Sequence, residues 1–355
     1  MPIKKILIAP LDWGLGHATR CIPIINYLSA QGNEITIAGE GAGLALIKNQ
    51  FPEVKTVPLM GYRIWYSRNQ AFFFLSILFQ LPKLILTIFY EHRWLSNQLK
   101  KKSFDFVFSD NRYGLHSKIT TSVFITHQLR VISGKGIRLD NLIQKILYKK
   151  INQFDECWIP DNEGMGNIGG SLSNPTIKPA RFRFIGMLSR LEDRGSGSEG
   201  PILVMLSGPE PQRTMLENIL LEQLKDLKQK TIFLRGLPAS KTCLASSPYL
   251  EIYNHMDTMA LSEAMSAASI VICRSGYSSI MDLIKLKKKA ILIPTPGQTE
   301  QIHLGNRMKL MGFFTVQDQD AISLKEGLIQ CKNNQINMES IHFDEFEKAI
   351  KDLGI

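Results

Sequence analysis

Two groups of residues in this 355-residue chain have the types and spacing that binding and transforming an anionic ligand requires. The first begins with Arg274-Ser275-Gly276, which follows an apolar run and precedes an amphipathic stretch. The first amides of a helix have no partner within the helix, so such a turn favours a phosphate, beside the hydroxyls of Ser278 and Ser279. Gly276 is expected to let the backbone turn sharply and come close to the ligand.

Acidic and amide side chains complete this first group. Asp282 lies on the early turns of the same predicted helix, where a carboxylate can accept hydrogen bonds from two ribose hydroxyls. Glu300 and Gln301 follow the next predicted strand and point to the same crevice, because parallel strands share one carboxyl edge. The alternative is a plain turn whose carboxylate only complements the helix dipole. The regular order of strand, helix, strand and loop favours the ligand site.

The second group lies near the start of the chain. A loop that contains Gly14 and Gly16 links the first predicted strand to the first helix, and His17 stands where that helix starts. Two later predicted strands end at Asp110 and just before His127. Because these strand ends meet at one sheet edge, Asp110 is expected to hold and polarise His17 as a general base. His127 is assigned to the acceptor-side loops, and a purely structural role for His17 is the alternative.

The elements that must position these residues alternate between strand and helix patterns, which predicts an α/β fold. A chain of this length exceeds what one core usually holds, so two domains are expected. The polar, Gly/Ser-rich stretch 191–200 marks the boundary between them. The predicted domains are 1–189 and 201–335, and an amphipathic helix within 340–355 is expected to cross back onto the first.

Composition narrows the classes of protein. Hydrophobic residues make up 44% and charged residues 21%, a globular balance. The five scattered cysteines indicate neither a disulfide framework nor a zinc site, which favours a reducing cytoplasm. The first ten residues are too short an apolar stretch for a signal peptide.

Residues 1–180 hold 21 lysines and arginines against 12 acidic residues, whereas 181–355 hold 21 against 20. The basic surplus predicts an anionic partner for the first half, a membrane surface rather than nucleic acid.

One stretch fits a membrane surface directly. Residues 71–90 are mostly apolar, with Pro82-Lys83 in the middle, and α/β elements are predicted on both sides. A helix partly in the core and partly exposed is expected, with the basic residues of 68–102 near anionic lipid. A wholly buried helix and a membrane-inserted one are the alternatives.

The segment from Val271 to Asn306 resembles the nucleotide-sugar glycosyltransferases of the GT-B fold, especially glycosyltransferase family 28. The matching residues are Arg274, Ser275, Gly276, Ser279, Asp282, Pro294 and Gln301. The resemblance implies two Rossmann-like domains that face each other across a cleft. It also implies donor contacts from Ser207 and Gly208, a nucleotide base read near Met256, and a pyrophosphate neutralised by Arg190 or Arg274. A His–Asp dyad of related enzymes is similar to His17 and Asp110.

The resemblance therefore predicts an enzyme that transfers a hexosyl group from a nucleotide-sugar, UDP-linked, to a membrane-associated lipid or glycan acceptor. Inversion of the anomeric centre, no metal, no cofactor other than the UDP-sugar substrate and no nucleic-acid partner are expected. The expected location is the cytoplasm, peripheral at the inner face of the cell membrane. A nucleotide-sugar hydrolase or epimerase of the same fold and a non-catalytic nucleotide-sugar-binding protein are the alternatives.

Overall fold

The computed structural model of the chain describes residues 2–12, 14–63, 73–192, 200–238, 240–242, 244–335 and 339–355. Strands and helices alternate along these residues, as the sequence pattern predicts. The strands are β1 (Lys5–Pro10), β2 (Glu34–Gly39), β3 (Lys55–Pro58), β4 (Phe106–Asp110), β5 (Thr121–Ile125), β6 (Glu156–Ile159), β7 (Phe182–Phe184), β8 (Ile202–Met205), β9 (Thr231–Leu234), β10 (Leu250–Tyr253), β11 (Ile270–Cys273), β12 (Lys289–Leu292) and β13 (Thr315–Val316). The helices are α1 (Leu15–Ala30), α2 (Gly41–Gln50), α3 (Phe73–Lys101), α4 (Ile137–Ile151), α5 (Gln212–Leu224), α6 (Thr258–Ala267), α7 (Tyr277–Lys285), α8 (Thr299–Leu310), α9 (Leu324–Cys331) and α10 (Glu345–Asp352).

These strands form two sheets, each parallel throughout. The first has the order β3-β2-β1-β4-β5-β6-β7 and the second the order β10-β9-β8-β11-β12-β13. In each sheet the strand order reverses beside a central strand, β1 in the first and β8 in the second, which is where α/β domains bind ligands. The inner strands are mostly buried, as expected for parallel sheets whose two faces are covered by helices. Two Rossmann-like α/β sheets are thus present.

Contacts divide the chain into two compact units. The first contains the described residues up to Arg190 together with 339–355, and the second contains the described residues of 191–338. Helix α10 belongs to the first unit although it ends the chain. Phe346 and Ile350 of α10 are buried in the same core as Ile6 and Ile8 of β1. The amphipathic C-terminal segment therefore contributes to the core of the first unit.

Helix α3 continues to Lys101, beyond the apolar stretch seen in the sequence. It starts at Phe73, and residues 64–72, including Arg68, lie outside the described residues. Apolar side chains are exposed along its middle, with Phe79 80%, Leu86 68% and Phe89 63% accessible. The alternative of a wholly buried helix is therefore wrong. No helix within the described part of the chain is long and apolar enough to cross a membrane.

Candidate active site

The first cluster of predicted site residues lies at the carboxyl edge of the first sheet. Asp110 ends β4 and is in register with Pro10 of β1 and Ile125 of β5. Gly14 has a φ of +84°, a conformation that favours glycine, and precedes the first residue of α1. His17 consequently lies in the first turn of α1, above the end of β4. Adjacent parallel strands and a tight β1–α1 loop are what bring the histidine and the carboxylate together.

The predicted pair is in contact. Nδ1 of His17 lies 3.3 Å from both carboxylate oxygens of Asp110. The Asp110 side chain is fully buried, whereas 13% of the His17 side chain is accessible. The sequence placed these two residues side by side, and their catalytic roles stay predictions. His127 is also buried. It is linked to this pair by a third residue, which the sequence analysis did not assign to the site.

That residue is Arg20, one helical turn after His17 and only 3% exposed. Its Nε donates to Oδ2 of Asp110 at 2.8 Å, and its Nη2 donates to Oδ1 of the same carboxylate in a second short bond. Its Nη2 also lies 2.9 Å from Nδ1 of His17, and its Nη1 lies 2.5 Å from Nδ1 of His127. The sequence offers one signal for this contact, which is that Arg20 lies next to the apolar positions of α1. An arginine buried at such a position needs a carboxylate partner.

Charge and burial act together on this cluster. Burial alone would raise the pKa of Asp110, but the charge of Arg20, together with its hydrogen bonds, outweighs burial and holds that pKa well below the usual range. Burial lowers the pKa of His17, and Arg20 lowers it further, against the opposite influence of Asp110. Burial and the Asp110 carboxylate raise the pKa of the Cys21 thiol. At neutral pH the cluster therefore holds an ionised Asp110–Arg20 pair, a neutral His17 and an inert thiol.

The second cluster surrounds the N-terminus of α7. The four residues of β11 are buried, and α7 begins four residues beyond that strand, at Tyr277. Its N-cap residue, Gly276, provides no side-chain cap. The φ of Gly276 is −72°, an ordinary value for any residue, so the prediction that this position needs glycine to make a sharp turn is wrong. What its missing side chain provides is space, because an added Cβ would meet only Ser279 Oγ, at 3.8 Å.

Arg274 and Ser275 differ from the prediction that their side chains contact the donor. The Arg274 guanidinium is 1% exposed and donates to the carbonyl oxygens of Ile293, Pro294 and Gln212 and to Oε1 of Gln319. The hydroxyl of Ser275, fully buried, donates to the carbonyl oxygen of Gln301 at 2.7 Å. Both side chains hold together the loops that follow the strands, because buried backbone carbonyls need donors. Their role in the site is to stabilise these loops.

The glycine that the local backbone requires is Gly208, in the loop after β8. Its φ is +105°, and an added Cβ would lie 3.5 Å from Oγ1 of Thr295 and 4.0 Å from Nε of Arg274. Thr295 is 1% exposed, and neither its Oγ1 nor Nε of Arg274 has a hydrogen-bond partner among the described residues. Buried polar groups without partners are rare. Gly208 thus leaves a small recess beside the hydroxyl of Thr295, a residue that the sequence did not suggest for the site.

The remaining predicted donor residues belong to the second unit, except Arg190, which belongs to the first unit and precedes the start of the second at Leu191. The Asp282 carboxylate is close enough to the end of β11 to help raise the pKa of Cys273 to about 12, after the larger effect of burial. Oε1 of Gln301 accepts from the backbone amide of Thr295 at 2.9 Å, which fixes that side chain beside the recess. Half-buried positions are shared by Met256, Ser278, Ser279, Asp282, Glu300 and Gln301, whereas Ser207 is exposed.

An Asp-x-Asp triplet, a sequence that metal-dependent transferases often use, is present at Asp318-Gln319-Asp320. Both carboxylates are exposed, and Gln319 between them is buried against Arg274. No group of three or more potential metal ligands occurs among the described residues. Metal independence stays a prediction.

Comparison with solved structures defines the fold class. A glycosyltransferase of kitacinnamycin superposes with a TM-score of 0.67 at 14% identity, covering 99% of this chain and 94% of that one. MurG of Acinetobacter baumannii gives a TM-score of 0.55 at 14% identity and covers 99% of both chains. UGT89C1 of Arabidopsis thaliana, complexed with UDP-L-rhamnose, gives 0.61 at 11% identity and covers 100% of this chain and 94% of that one. The predicted GT-B fold is thereby confirmed.

The second unit also matches the model of a protein family. Residues 215–312, which include β11, α7 and β12 and the positions of Glu300 and Gln301, match the model of the glycosyltransferase family 28 C-terminal domain. The second unit of this GT-B fold therefore contains a domain similar to the C-terminal domain of glycosyltransferase family 28, which supports a nucleotide-sugar glycosyltransferase. A search of the curated proteins finds no match.

Proposed function

We propose that this protein transfers a hexosyl group from a UDP-sugar to a lipid or glycan acceptor at the cytoplasmic face of a membrane. The observation that supports the donor class best is the N-terminus of α7, whose N-cap residue is a glycine and which begins four residues after the buried strand β11. The N-terminus of a helix favours a phosphate because its first amides and the helix dipole both attract an anion. Two similar structures are complexes with nucleotides, UGT89C1 with UDP-L-rhamnose and the spinosyn rhamnosyltransferase SpnG with thymidine diphosphate.

Each part of the donor would be bound by different residues, most of them in the second unit. Amides of α7, with Ser278 and Ser279, would neutralise the pyrophosphate in place of a metal, with help from Arg190. Asp282 would accept hydrogen bonds from the ribose hydroxyls, and the backbone near Met256 would contact the base. Glu300 and Gln301 would bind hydroxyls of the sugar. Preorganised donors of this kind stabilise the charge that develops as the sugar leaves its phosphate.

Acceptor activation is assigned to the first unit. His17 would remove the proton of the attacking hydroxyl, and Asp110 would stabilise the resulting imidazolium. Attack from the face opposite the nucleotide would invert the anomeric centre. Loss of a positioned general base lowers turnover by about 10²–10⁴-fold, so His17→Ala should show a loss of that size with unchanged UDP affinity. Full activity of His17→Ala would contradict this assignment.

The membrane part of the proposal rests on α3. Phe79, Leu86 and Phe89 are exposed, and Nζ of Lys150 in α4 lies 5.6 Å from the Phe89 ring centre, so a basic side chain borders the apolar surface. Exposed apolar side chains bordered by lysines suit the interface of an anionic bilayer, where the rings enter the acyl boundary and the ammonium groups meet phosphates. We therefore place the enzyme peripherally at the inner face of the cell membrane.

Nucleotide release tests the proposal. Purified protein is incubated with a panel of UDP-, TDP- and GDP-sugars, with and without a membrane lipid extract, and free nucleotide is measured. Release of UDP that depends on the extract, and that Asp282→Ala suppresses, supports a transferase. Equal release without any acceptor indicates a nucleotide-sugar hydrolase, and binding without release indicates a non-catalytic protein. Either result contradicts the proposed function.

A further inference from the structure

The guanidinium of Arg20 is closer to the ring nitrogen of His17 than the carboxylate of Asp110 is. Its Nη2 lies 2.9 Å from Nδ1 of His17, whereas both Asp110 oxygens lie 3.3 Å from that nitrogen. The same guanidinium makes two bonds to Asp110 and, through Nη1, lies 2.5 Å from Nδ1 of His127. One side chain thus contacts the carboxylate and both histidines.

These contacts determine where the ring hydrogens are. A guanidinium has donors only and stays protonated in proteins. Nδ1 of His127, at 2.5 Å from Arg20, must therefore accept. For His17 the closer neighbour of Nδ1 is also a donor, so Nδ1 accepts there too. A neutral imidazole whose Nδ1 accepts carries its hydrogen on Nε2.

We propose that Arg20 is a positioning residue that holds both His17 and His127 in the Nε2–H tautomer when no substrate is bound. The inference deepens the proposed function and rests on it for the role of His17 towards the acceptor. In this state Nε2 of His17 carries a hydrogen and has no basic lone pair. Base catalysis by His17 then requires Nδ1 to exchange its bond from Arg20 to Asp110, so Arg20 governs how much base-ready enzyme exists.

The groups that face His17 all fit this arrangement. Asp110 on β4 attracts a proton to the ring, Arg20 on its own helix repels it, and His127 after β5 is a third titratable neighbour. Because Arg20 already neutralises the Asp110 charge with two hydrogen bonds, the carboxylate competes weakly for a hydrogen on His17. The lowered pKa of His17 agrees with a neutral ring at pH 7.

The direct test is the tautomeric state of the histidines in the wild-type protein. Long-range ¹⁵N–¹H correlation spectra of ¹⁵N-histidine-labelled protein distinguish Nδ1–H from Nε2–H rings, and spectra of His17→Gln and His127→Gln assign the two residues. Both rings are expected in the Nε2–H form without substrate. A His17 ring in the Nδ1–H form, or a charged one at pH 7, would overturn the proposal without any reference to enzymatic activity.

Two variants then separate the fork of hydrogen bonds from the charge. Arg20→Met removes the charge and the hydrogen bonds together. Arg20→Lys is the more conservative change, because it keeps a cation beside Asp110 but lacks the planar group that contacts three partners. In either variant the Nδ1–H population of His17 should rise, because Asp110 becomes its nearest partner. An unchanged Nε2–H ring in both would show that Arg20 does not set the tautomer.

Kinetics give a readout that a merely structural arginine would not move. Removing the positive charge raises the pKa of His17, so the ascending limb of the pH profile of kcat/KM should move up by about one pH unit or more in Arg20→Met, and less in Arg20→Lys. A limb that stays in place in both variants contradicts the inference. Failure of the proposed function is distinguishable, since a protein that transfers no sugar still reports its histidine tautomers.

Discussion

Replacing Gly208 by alanine tests whether the recess after β8 receives the donor phosphates. The residue adopts a φ of +105°, which a side chain disfavours, so folding stability should fall by about 1–2 kcal/mol. The added methyl group would stand 3.5 Å from Oγ1 of Thr295, inside the space that a phosphate oxygen would need to reach that hydroxyl. We expect UDP affinity to fall at least about tenfold, or ~1.4 kcal/mol.

Gly312→Ala is the matched control. Gly312 also has a positive φ, +71°, and an added Cβ there meets no atom within 4 Å. Its variant should lose a similar ~1–2 kcal/mol of stability but keep wild-type UDP affinity. Urea unfolding measures the first quantity and titration calorimetry with UDP the second. If Gly208→Ala loses stability like the control yet binds UDP as tightly as the wild type, the recess is not part of the donor site.

Four further outcomes are expected. Asp282→Ala should weaken UDP binding by about 1.5–3 kcal/mol, the range for hydrogen bonds to a charged group, and unchanged calorimetric affinity would remove Asp282 from the site. The protein should pellet with anionic vesicles at low salt and dissociate as salt rises, with Phe89→Ser weakening the binding, whereas binding indifferent to lipid charge would contradict an interfacial surface. Burial lowers the pKa of His116 to about 4, below the value of about 6.5 in an unfolded chain. The unfolded state therefore binds more protons, so thermal stability should fall between pH 6.5 and 4, and a wild-type slope in His116→Phe would refute the linkage. Glu91→Ala should cost about 3–5 kcal/mol in urea unfolding because it leaves the fully buried Arg112 without its carboxylate partner, and a loss below about 1 kcal/mol would show that the pair is solvated.

The fold and the resemblance to glycosyltransferase family 28 could be predicted from the sequence because the patterns that carry them are local. Buried strands, amphipathic helices and turn residues follow one another between Val271 and Asn306, and each pattern involves residues only a few positions apart. The same local order placed His17, Asp110 and His127 after strands or at a helix start, and parallel strands bring such positions to one edge. Their proximity was therefore predictable, although their hydrogen bonds were not.

Only the tertiary structure determines the directions of side chains and the backbone angles of particular residues. Arg20 and Asp110 are 90 positions apart, and no local pattern reveals that one guanidinium contacts this carboxylate and two histidines. Arg274 and Ser275 belong to a ligand-binding motif, yet their side chains turn inward because the carbonyl groups of Pro294 and Gln301 need donors once they are buried. Local spacing determines which residues reach the edge of a sheet, whereas the pairing of every buried polar group, a property of the whole core, determines which of them face the ligand.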